Sequence, residues 1–161
     1  MNTTTRNHRA SKAVAVNSLT TLQIDWLIAQ QEGVAVMFDG AHVRYALSDE
    51  NALGAVYSPS TDPALGHTLL EREKIQARHI DSEGHPRHGL WLAQDCRFRS
   101  TSQSVEWSEY GRPYPELALG YLTGPTMLIA CLPFMIAKAL VAKAAEPKVR
   151  VPKFLISACA A

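Results

Sequence analysis

The longest apolar stretch, residues 118–142, limits most strongly what this chain can fold into. A helix needs roughly 20 consecutive apolar residues to cross a membrane. Here the sequence Thr-Gly-Pro-Thr interrupts the stretch at residues 123–126, and the remainder contains Pro133 and Lys138. We therefore expect a buried helix that begins at Thr126, is capped by its hydroxyl, and is kinked at Pro133.

This final helix is apolar on nearly every face. Such a helix must be central in its domain or covered by a partner subunit. Complete cover is difficult in a small domain, so the pattern predicts a homo-oligomer.

Composition narrows the class of protein. A chain of 161 residues with 47% apolar side chains is long enough for one domain with a substantial core. Its 16 basic and 15 acidic residues leave a net charge of +1, which predicts neither a nucleic-acid partner nor a membrane surface as partner. The 3 cysteines are an odd number without a C-x-x-C pair, which argues against a disulfide framework and a zinc site, so we expect reduced thiols in the cytoplasm. We expect no metal and no cofactor.

Local signals predict where the first elements lie. Thr20 and Gln23 have the spacing of a capping box, and Gly33 is suited to end the helix that starts there, with Trp26 as its core anchor. Residues 34–47 alternate like two antiparallel strands around an Asp-Gly turn. A short extended run then leads to Asp62, which precedes a proline as a helix N-cap.

The remaining segments complete the predicted architecture. Residues 69–75 fit either a helix or an edge strand. We predict an exposed loop at residues 81–89 and a long loop at residues 100–116. We predict a buried strand at residues 90–93 and a β-like segment at residues 148–154. We predict an α+β fold in which short antiparallel strands pack on an N-terminal and a C-terminal helix. The single domain spans residues 18–155, between a disordered leader (1–17) and a tail (156–161).

Several motifs carry a family resemblance. The sequences YSPSTD at residues 57–62 and LEREKI at residues 70–75 resemble the NinX-like family of small phage and prophage proteins. Residues 19–33, GPTMLIA at residues 124–130 and KVRVP at residues 148–152 are also similar to that family. The resemblance implies a phage-encoded accessory protein that acts in the cytoplasm of its bacterial host. The chain departs from the family pattern at Pro63, His67 and Pro133.

The first candidate site is the polar segment 57–62. Its phenol, hydroxyls and carboxylate form a donor and acceptor set that suits ribose hydroxyls or phosphate oxygens: Tyr57, Ser58, Ser60, Thr61 and Asp62. The alternative is that Ser60, Thr61 and Asp62 bind their own backbone as a turn and helix cap. Sequence alone leaves both interpretations open.

Further candidates surround that segment. Glu71 and Arg72 offer a carboxylate and a phosphate clamp, or simply a solvated charged face. Trp107 lies in a polar loop, where it either stacks on a flat ligand or packs incidentally. The helix start at Thr126 favours anions. His79, His85 and His88 cluster in sequence, but their spacing favours surface residues over a metal site.

These features lead to three hypotheses. The first is a non-enzymatic protein that sequesters a small nucleotide-like host molecule, with a counter-defence role. The alternative is a protein-interaction factor that docks through the final helix and Trp107. An enzyme with Glu71 or Asp62 as general base ranks last, because no catalytic partner residue can be identified.

Overall fold

The structure, a computed structural model, describes residues 11–48, 52–95, 122–140 and 148–158. These residues form a small single-domain α+β arrangement. The strands are β1 (Ser11–Ala15), β2 (Val36–Phe38), β3 (Val43–Ala46), β4 (Leu53–Val56), β5 (Ile75–His79), β6 (Trp91–Asp95), β7 (Leu122–Gly124) and β8 (Lys148–Pro152). The α-helices are α1 (Thr21–Glu32), α2 (Pro63–Glu73), α3 (Met127–Leu140) and α4 (Lys153–Ala158).

The strands form three small antiparallel sheets with the orders β1-β8, β2-β3-β4 and β5-β6-β7. The first sheet joins the two ends of the described chain, with Ser11 opposite Pro152 and Ala15 opposite Lys148. The predicted disordered leader was therefore wrong for residues 11–17, which form β1 and the start of a 3-10 helix at Val16–Ser18. Pairing with a strand so distant in sequence leaves no local signal. Residues 1–10 lie outside the described part.

Helix α1 forms as its sequence signals predict. The Gln23 amide donates to Thr20 Oγ1 at 3.4 Å, and the Thr20 amide donates to Gln23 Oε1 at 3.2 Å. Gly33 ends the helix in the left-handed region with φ 66°, which a residue with a side chain rarely adopts. Trp26 is buried and meets Phe154 edge-to-face at 5.2 Å, so it anchors α1 as predicted.

The predicted hairpin is also present, as β2 and β3. Asp39 Oδ1 accepts hydrogen bonds from the amides of Ala41 and His42 at 2.8 and 2.7 Å, and Gly40 has φ 102°. The ambiguous segment 69–75 divides between two elements: α2 ends at Glu73, Lys74 adopts a left-handed conformation, and β5 begins at Ile75.

Helix α3 lies at the centre of the domain. It contacts sheet β5-β6-β7 and helices α1 and α2, and every residue from 130 to 137 is buried. Its apolar faces are therefore covered by its own chain, which removes the reason for predicting a homo-oligomer from this helix. In the described part of the chain, no helix is long and apolar enough to cross a membrane.

The C-terminal segment differs from its prediction. The β-like segment ends at Pro152, and residues from Lys153 to Ala158 form α4 rather than a strand end and a tail. Leu155 is fully buried, and Phe154 also stacks on Phe38 at 5.5 Å. This packing against α1 and β2 explains the helix, because its short apolar face gains cover that sequence periodicity alone does not reveal.

The strand predicted at residues 90–93 is β6, and residues 81–89 contain no helix or strand, as predicted. Trp91 is partly buried against the core and meets the His79 ring at 5.4 Å. The long loop predicted at residues 100–116, including Trp107, lies outside the described residues.

Candidate functional site

The candidate site is a buried polar cluster of Asp25, Tyr57 and Ser60. Asp25 lies on the inner face of α1, and the other two belong to the segment that links β4 to α2. Their exposed fractions are 5%, 2% and 3%, respectively. Charged side chains are almost never buried to this extent without a partner, so the cluster needs a physical explanation.

Asp25 has one defined hydrogen bond in the cluster. The backbone amide of Ser60 donates to Asp25 Oδ1 at 2.8 Å. Burial raises the pKa of Asp25 from 3.8 to about 6, because an ionised carboxylate loses its hydration there. Hydrogen bonding from Ser60 opposes this shift but does not cancel it. At neutral pH the ionised Asp25 carboxylate therefore destabilises the folded chain.

Two hydroxyls complete the cluster. Tyr57 Oη and Ser60 Oγ are buried, and neither has a hydrogen-bond partner of normal geometry among the described residues. The Ser60 hydroxyl nevertheless lies close enough to Asp25 to lower its pKa. Burial, and then the negative charge of Glu32, raises the pKa of Tyr57 far above its ordinary value, so this phenol stays neutral. A buried acid and two buried hydroxyls without a partner of normal geometry among the described residues form an unusual concentration of polar groups.

Arg72 and Glu32 form an ion pair at the rim. Arg72 Nη2 on α2 lies 2.6 Å from Glu32 Oε1 on α1, and Arg72 Nε lies 3.4 Å from Glu73 Oε1. The guanidinium is half-exposed, and its charge lowers the pKa of Tyr57 while Asp25 and Glu32 raise it. The pair therefore lies within electrostatic reach of the buried phenol and is open to solvent.

Backbone contacts hold the segment 57–62 in place. The Tyr57 amide donates to Val43 O at 2.8 Å, and the Ser58 carbonyl accepts from the amides of Thr61 and Asp62 at 3.0 and 2.8 Å. The Tyr57 ring meets Tyr45 edge-to-face at 5.2 Å. These contacts fix both ends of the segment, and they position the Ser60 amide against α1.

Gly66 brings α2 and α3 close to the same segment. A Cβ atom at this position would lie 2.7 Å from the Pro59 carbonyl oxygen and 2.6 Å from Leu128 Cδ2. The segment, the first turns of α2 and the start of α3 are thus in direct contact.

The predicted site residues divide into two groups. Tyr57 and Ser60 have their hydroxyls in the cluster, and Arg72 lies at its rim. Thr61 and Asp62 serve the backbone: Thr61 Oγ1 reaches Ser58 O at 3.5 Å, and Asp62 Oδ1 accepts from the Ala64 and Leu65 amides at 2.9 and 3.4 Å. The turn-and-cap interpretation therefore describes these two residues.

The other candidates lie apart from the cluster. Thr126 Oγ1 accepts from the Ile129 amide at 3.2 Å as the predicted cap of α3, and Ser58 contributes its carbonyl. Glu71 is exposed on α2, and Trp107 lies outside the described residues.

Asp25 was not predicted as a site residue. Its signal was present: Leu22 and Ile28, three positions before and after it, lie with it on one helical face. A carboxylate in an apolar stripe predicts a buried acid, but only the folded structure shows that Ser60 meets it.

Histidine side chains and a buried cysteine lie outside the cluster. His88 Nδ1 lies 3.2 Å from Ser82 O, and the His79 ring packs on Trp91. The described residues contain no group of three or more side chains that could hold a metal ion. Cys131 is fully buried in α3, and burial raises the pKa of its thiol to about 12, so this thiol is unreactive.

Three apolar side chains on or close to the edge strand β4 of sheet β2-β3-β4 are exposed. They are Leu47, Leu53 and Val56, with exposed fractions of 53%, 43% and 39%. Strand β4 pairs only with β3 in this sheet. Exposed edge strands with apolar side chains are surfaces that other chains can join.

Comparison with known proteins adds no assignment. No protein-family model matches the chain, and no curated protein shows significant similarity to it.

Proposed function

We propose that this chain is a non-enzymatic binding protein that captures a small nucleotide-like molecule at the Asp25–Tyr57–Ser60 cluster. The observation that carries the proposal is that the buried hydroxyls of Tyr57 and Ser60 have no hydrogen-bond partner of normal geometry among the described residues. A buried hydroxyl without a partner costs about 1–3 kcal/mol. A ligand that satisfies both hydroxyls would recover that free energy on binding.

The rim supports a ligand with an anionic end. The half-exposed Arg72 is planar and always charged, and its fork of donors suits phosphate oxygens. Arg72 Nη2 donates a hydrogen bond to Glu32 Oε1. An anion bound to Arg72 would replace this surface ion pair, which contributes little to stability. A nucleotide combines such an anion with hydroxyls and amide-like groups.

The family resemblance extends this proposal to biology: a phage or prophage accessory protein in the bacterial cytoplasm would remove a host signal molecule by sequestration. A counter-defence role follows from that, and self-association remains part of the proposal.

In this structure the cluster is closed. Tyr57 and Ser60 are almost completely covered, so a ligand reaches their hydroxyls only when the segment 57–62 moves away from α1. One side-chain-to-backbone hydrogen bond, from the Ser60 amide to Asp25, joins the cluster across these two elements. Opening also requires the buried side chains of Tyr57 and Pro59 to leave the core.

Thermal-shift screening against nucleotides and cyclic nucleotides tests the proposal. A ligand that binds only the folded state at a concentration of 100 times its Kd adds about 2.7 kcal/mol of stability. We expect a shift of several degrees for wild type that Ser60→Ala abolishes. Ser58→Ala is the matched control, because it removes a neighbouring hydroxyl outside the cluster and should keep the shift.

Two outcomes would contradict the proposal. A shift that Ser60→Ala retains would place binding elsewhere. The absence of a shift with every compound would favour the second candidate function, a protein-interaction factor. The exposed edge of β4 supports that function better than α3 does, because the apolar faces of α3 are buried in its own chain.

A further inference from the structure

We infer that one face of sheet β2-β3-β4 is a self-association surface, on which the same face of a second copy of this chain packs. This outer face consists of Met37, Arg44, Ala46, Leu53 and Val56. The inference rests on the proposed function only for the expectation of self-association, and it does not depend on ligand capture at the buried cluster.

The strand register places these five side chains on one face. Residues that pair across antiparallel strands lie on the same face of a sheet, and so do residues two positions apart in one strand. Arg44 pairs with both Met37 and Val56. Ala46, two positions after Arg44, pairs with Leu53. The outer face therefore extends across all three strands.

The opposite face of the same sheet is covered by the core. Val36, Phe38 and Tyr45 lie on it, and each packs against the hydrophobic core. On the outer face, by contrast, Leu53 and Val56 have exposed fractions of 43% and 39%. Neighbouring apolar side chains that remain exposed are typical of interaction surfaces.

A β-bulge brings Leu53 and Val56 to the same face. Side chains three positions apart point to opposite faces of a regular strand. Here Tyr45 alone separates the two pairing positions on β3, whereas Gly54 and Ala55 separate them on β4. A Cβ atom on Gly54 would lie 3.0 Å from Tyr45 Cβ, which leaves little room for a side chain at the bulge. Bulges redirect side chains in this way, and here two apolar side chains join one surface.

The edge of β4 is less suited to association than the outer face. The bulge interrupts the hydrogen-bond ladder along this strand. Arg44 Nη1 donates to Gly54 O at 3.3 Å, so one backbone acceptor of β4 already has a partner. Bulges and charged side chains are features by which edge strands avoid pairing with other chains. We therefore expect packing through the side chains of the outer face and not the addition of a strand.

The charges on the outer face favour a neutral partner. Of its five residues, Arg44 alone is charged, and its Nε donates to Asp39 Oδ2. This ion pair leaves the surface without net charge, so an acidic or a basic partner gains no electrostatic attraction from it. A second copy supplies a neutral apolar surface, and a two-fold contact uses the same patch on both copies. Self-association meets both requirements.

The outer face is small, so the association is expected to be weak. Three strands of about four residues cover roughly 200 Å² at the usual strand spacing and rise per residue. Stable protein complexes bury about 800 Å² on each partner. We therefore expect a dimer that forms only at high protein concentration.

Sedimentation velocity of the full chain tests the inference, over a roughly 100-fold range of protein concentration up to about 1 mM. We expect the average mass of the wild-type chain to approach that of a dimer at the upper end. Leu53→Lys should weaken the association about tenfold or more, because the contact would remove the hydration of an unpaired charge. Val56→Thr keeps the β-branched shape and should weaken the association less.

Leu47→Lys is the matched control. Leu47 is the most exposed of the three apolar side chains near β4, at 53%. A Cβ atom on Gly54 would point toward Tyr45 and lie 3.3 Å from Leu47 Cδ2, so the Leu47 side chain lies on the side of the strand away from the outer face. Leu47→Lys should therefore associate like the wild-type chain.

Four results would overturn the inference. A wild-type chain that stays monomeric over the whole range contradicts it directly. Equal weakening by Leu47→Lys and Leu53→Lys, or wild-type association in all three variants, would place the contact elsewhere. A monomeric chain that Leu53→Lys destabilises as much as a core substitution would show that another segment of the same chain covers the face. A monomeric chain that binds a different protein through the outer face would favour the protein-interaction function.

The nucleotide-dependent thermal shift, measured on the same variants, separates this inference from ligand capture. Leu53→Lys should keep the shift, because Leu53 lies on the outer face and the buried cluster lies between α1 and the segment 57–62. Loss of association with the shift intact supports two separate surfaces. Loss of both in Leu53→Lys would contradict that separation.

Discussion

At neutral pH, the Asp25→Asn variant is expected to be more stable than the wild-type chain by about 3 kcal/mol. The folded pKa of about 6 against an ordinary value of 3.8 corresponds to a penalty of about 3 kcal/mol on the ionised folded state. Asparagine keeps the side-chain oxygen that accepts from the Ser60 amide but carries no charge. Urea denaturation of both proteins at pH 7 measures the difference.

The same pKa fixes how the difference depends on pH. Because the folded state binds the Asp25 proton more tightly, it holds more protons than the unfolded state between the pKa values of 3.8 and about 6. Wild-type stability therefore falls as pH rises through this range, and the two proteins converge below its lower end. Asp81→Asn, in an exposed loop, is the control and should match wild type throughout. Equal stability of wild type and Asp25→Asn at pH 7 would contradict the prediction.

This destabilising acid bears on function. A natural chain gains nothing in stability from a buried carboxylate that burial penalises, whereas perturbed acids are common where ligands bind. The unsatisfied hydroxyls of Tyr57 and Ser60 point to the same conclusion from independent geometry. We interpret the cluster as a binding site whose buried polar groups lower the stability of the folded chain.

Phe134→Ala is expected to destabilise the chain by about 3–5 kcal/mol, the usual range for a truncated core phenylalanine. Phe134 lies on α3 and is 1% exposed. Its removal opens a cavity between this central helix and the elements packed around it. Chemical denaturation at neutral pH measures the loss.

Ile129→Ala on the same helix provides the comparison, because Ile129 is only partly buried. We expect it to cost clearly less than Phe134→Ala. If Phe134→Ala left stability nearly unchanged but abolished association with a partner, α3 would be a docking surface, and the interaction hypothesis would regain its original basis.

Local chemistry explains which parts of the fold the sequence predicted. The Thr20–Gln23 capping box, the Asp39 turn and the Asp62 cap each depend on residues within a few positions of one another. Such contacts form wherever the chain satisfies its own backbone groups, so composition and spacing reveal them.

Long-range pairing explains the errors. The pairing of β1 with β8 satisfies the backbone of residues 11–15 with residues 148–152, and nothing near residue 11 signals that partner. Helix α4 likewise depends on contacts of Phe154 with Trp26 and Phe38. In each case tertiary contacts override a weak local preference.

The candidate site was predicted only in part, because it also depends on contacts between residues that are distant in sequence. The polar segment 57–62 was identified from its composition, but its residues have different roles because of their contacts. Asp62 caps α2, whereas Ser60 faces α1 and Tyr57 is enclosed. The acid that completes the cluster, Asp25, is distant in sequence, so only the fold brings it to the site.

The stability of Tyr57→Phe with and without ligand tests whether the buried hydroxyls serve a ligand. Because the Tyr57 hydroxyl has no described partner, its removal should leave the free chain as stable as wild type, or about 1 kcal/mol more stable. The same variant should lose the ligand-dependent shift of the wild-type chain, while Tyr45→Phe, its edge-to-face neighbour, should retain it. A free Tyr57→Phe chain that is less stable than wild type, with the ligand shift intact, would show that the hydroxyl serves the fold and not a ligand.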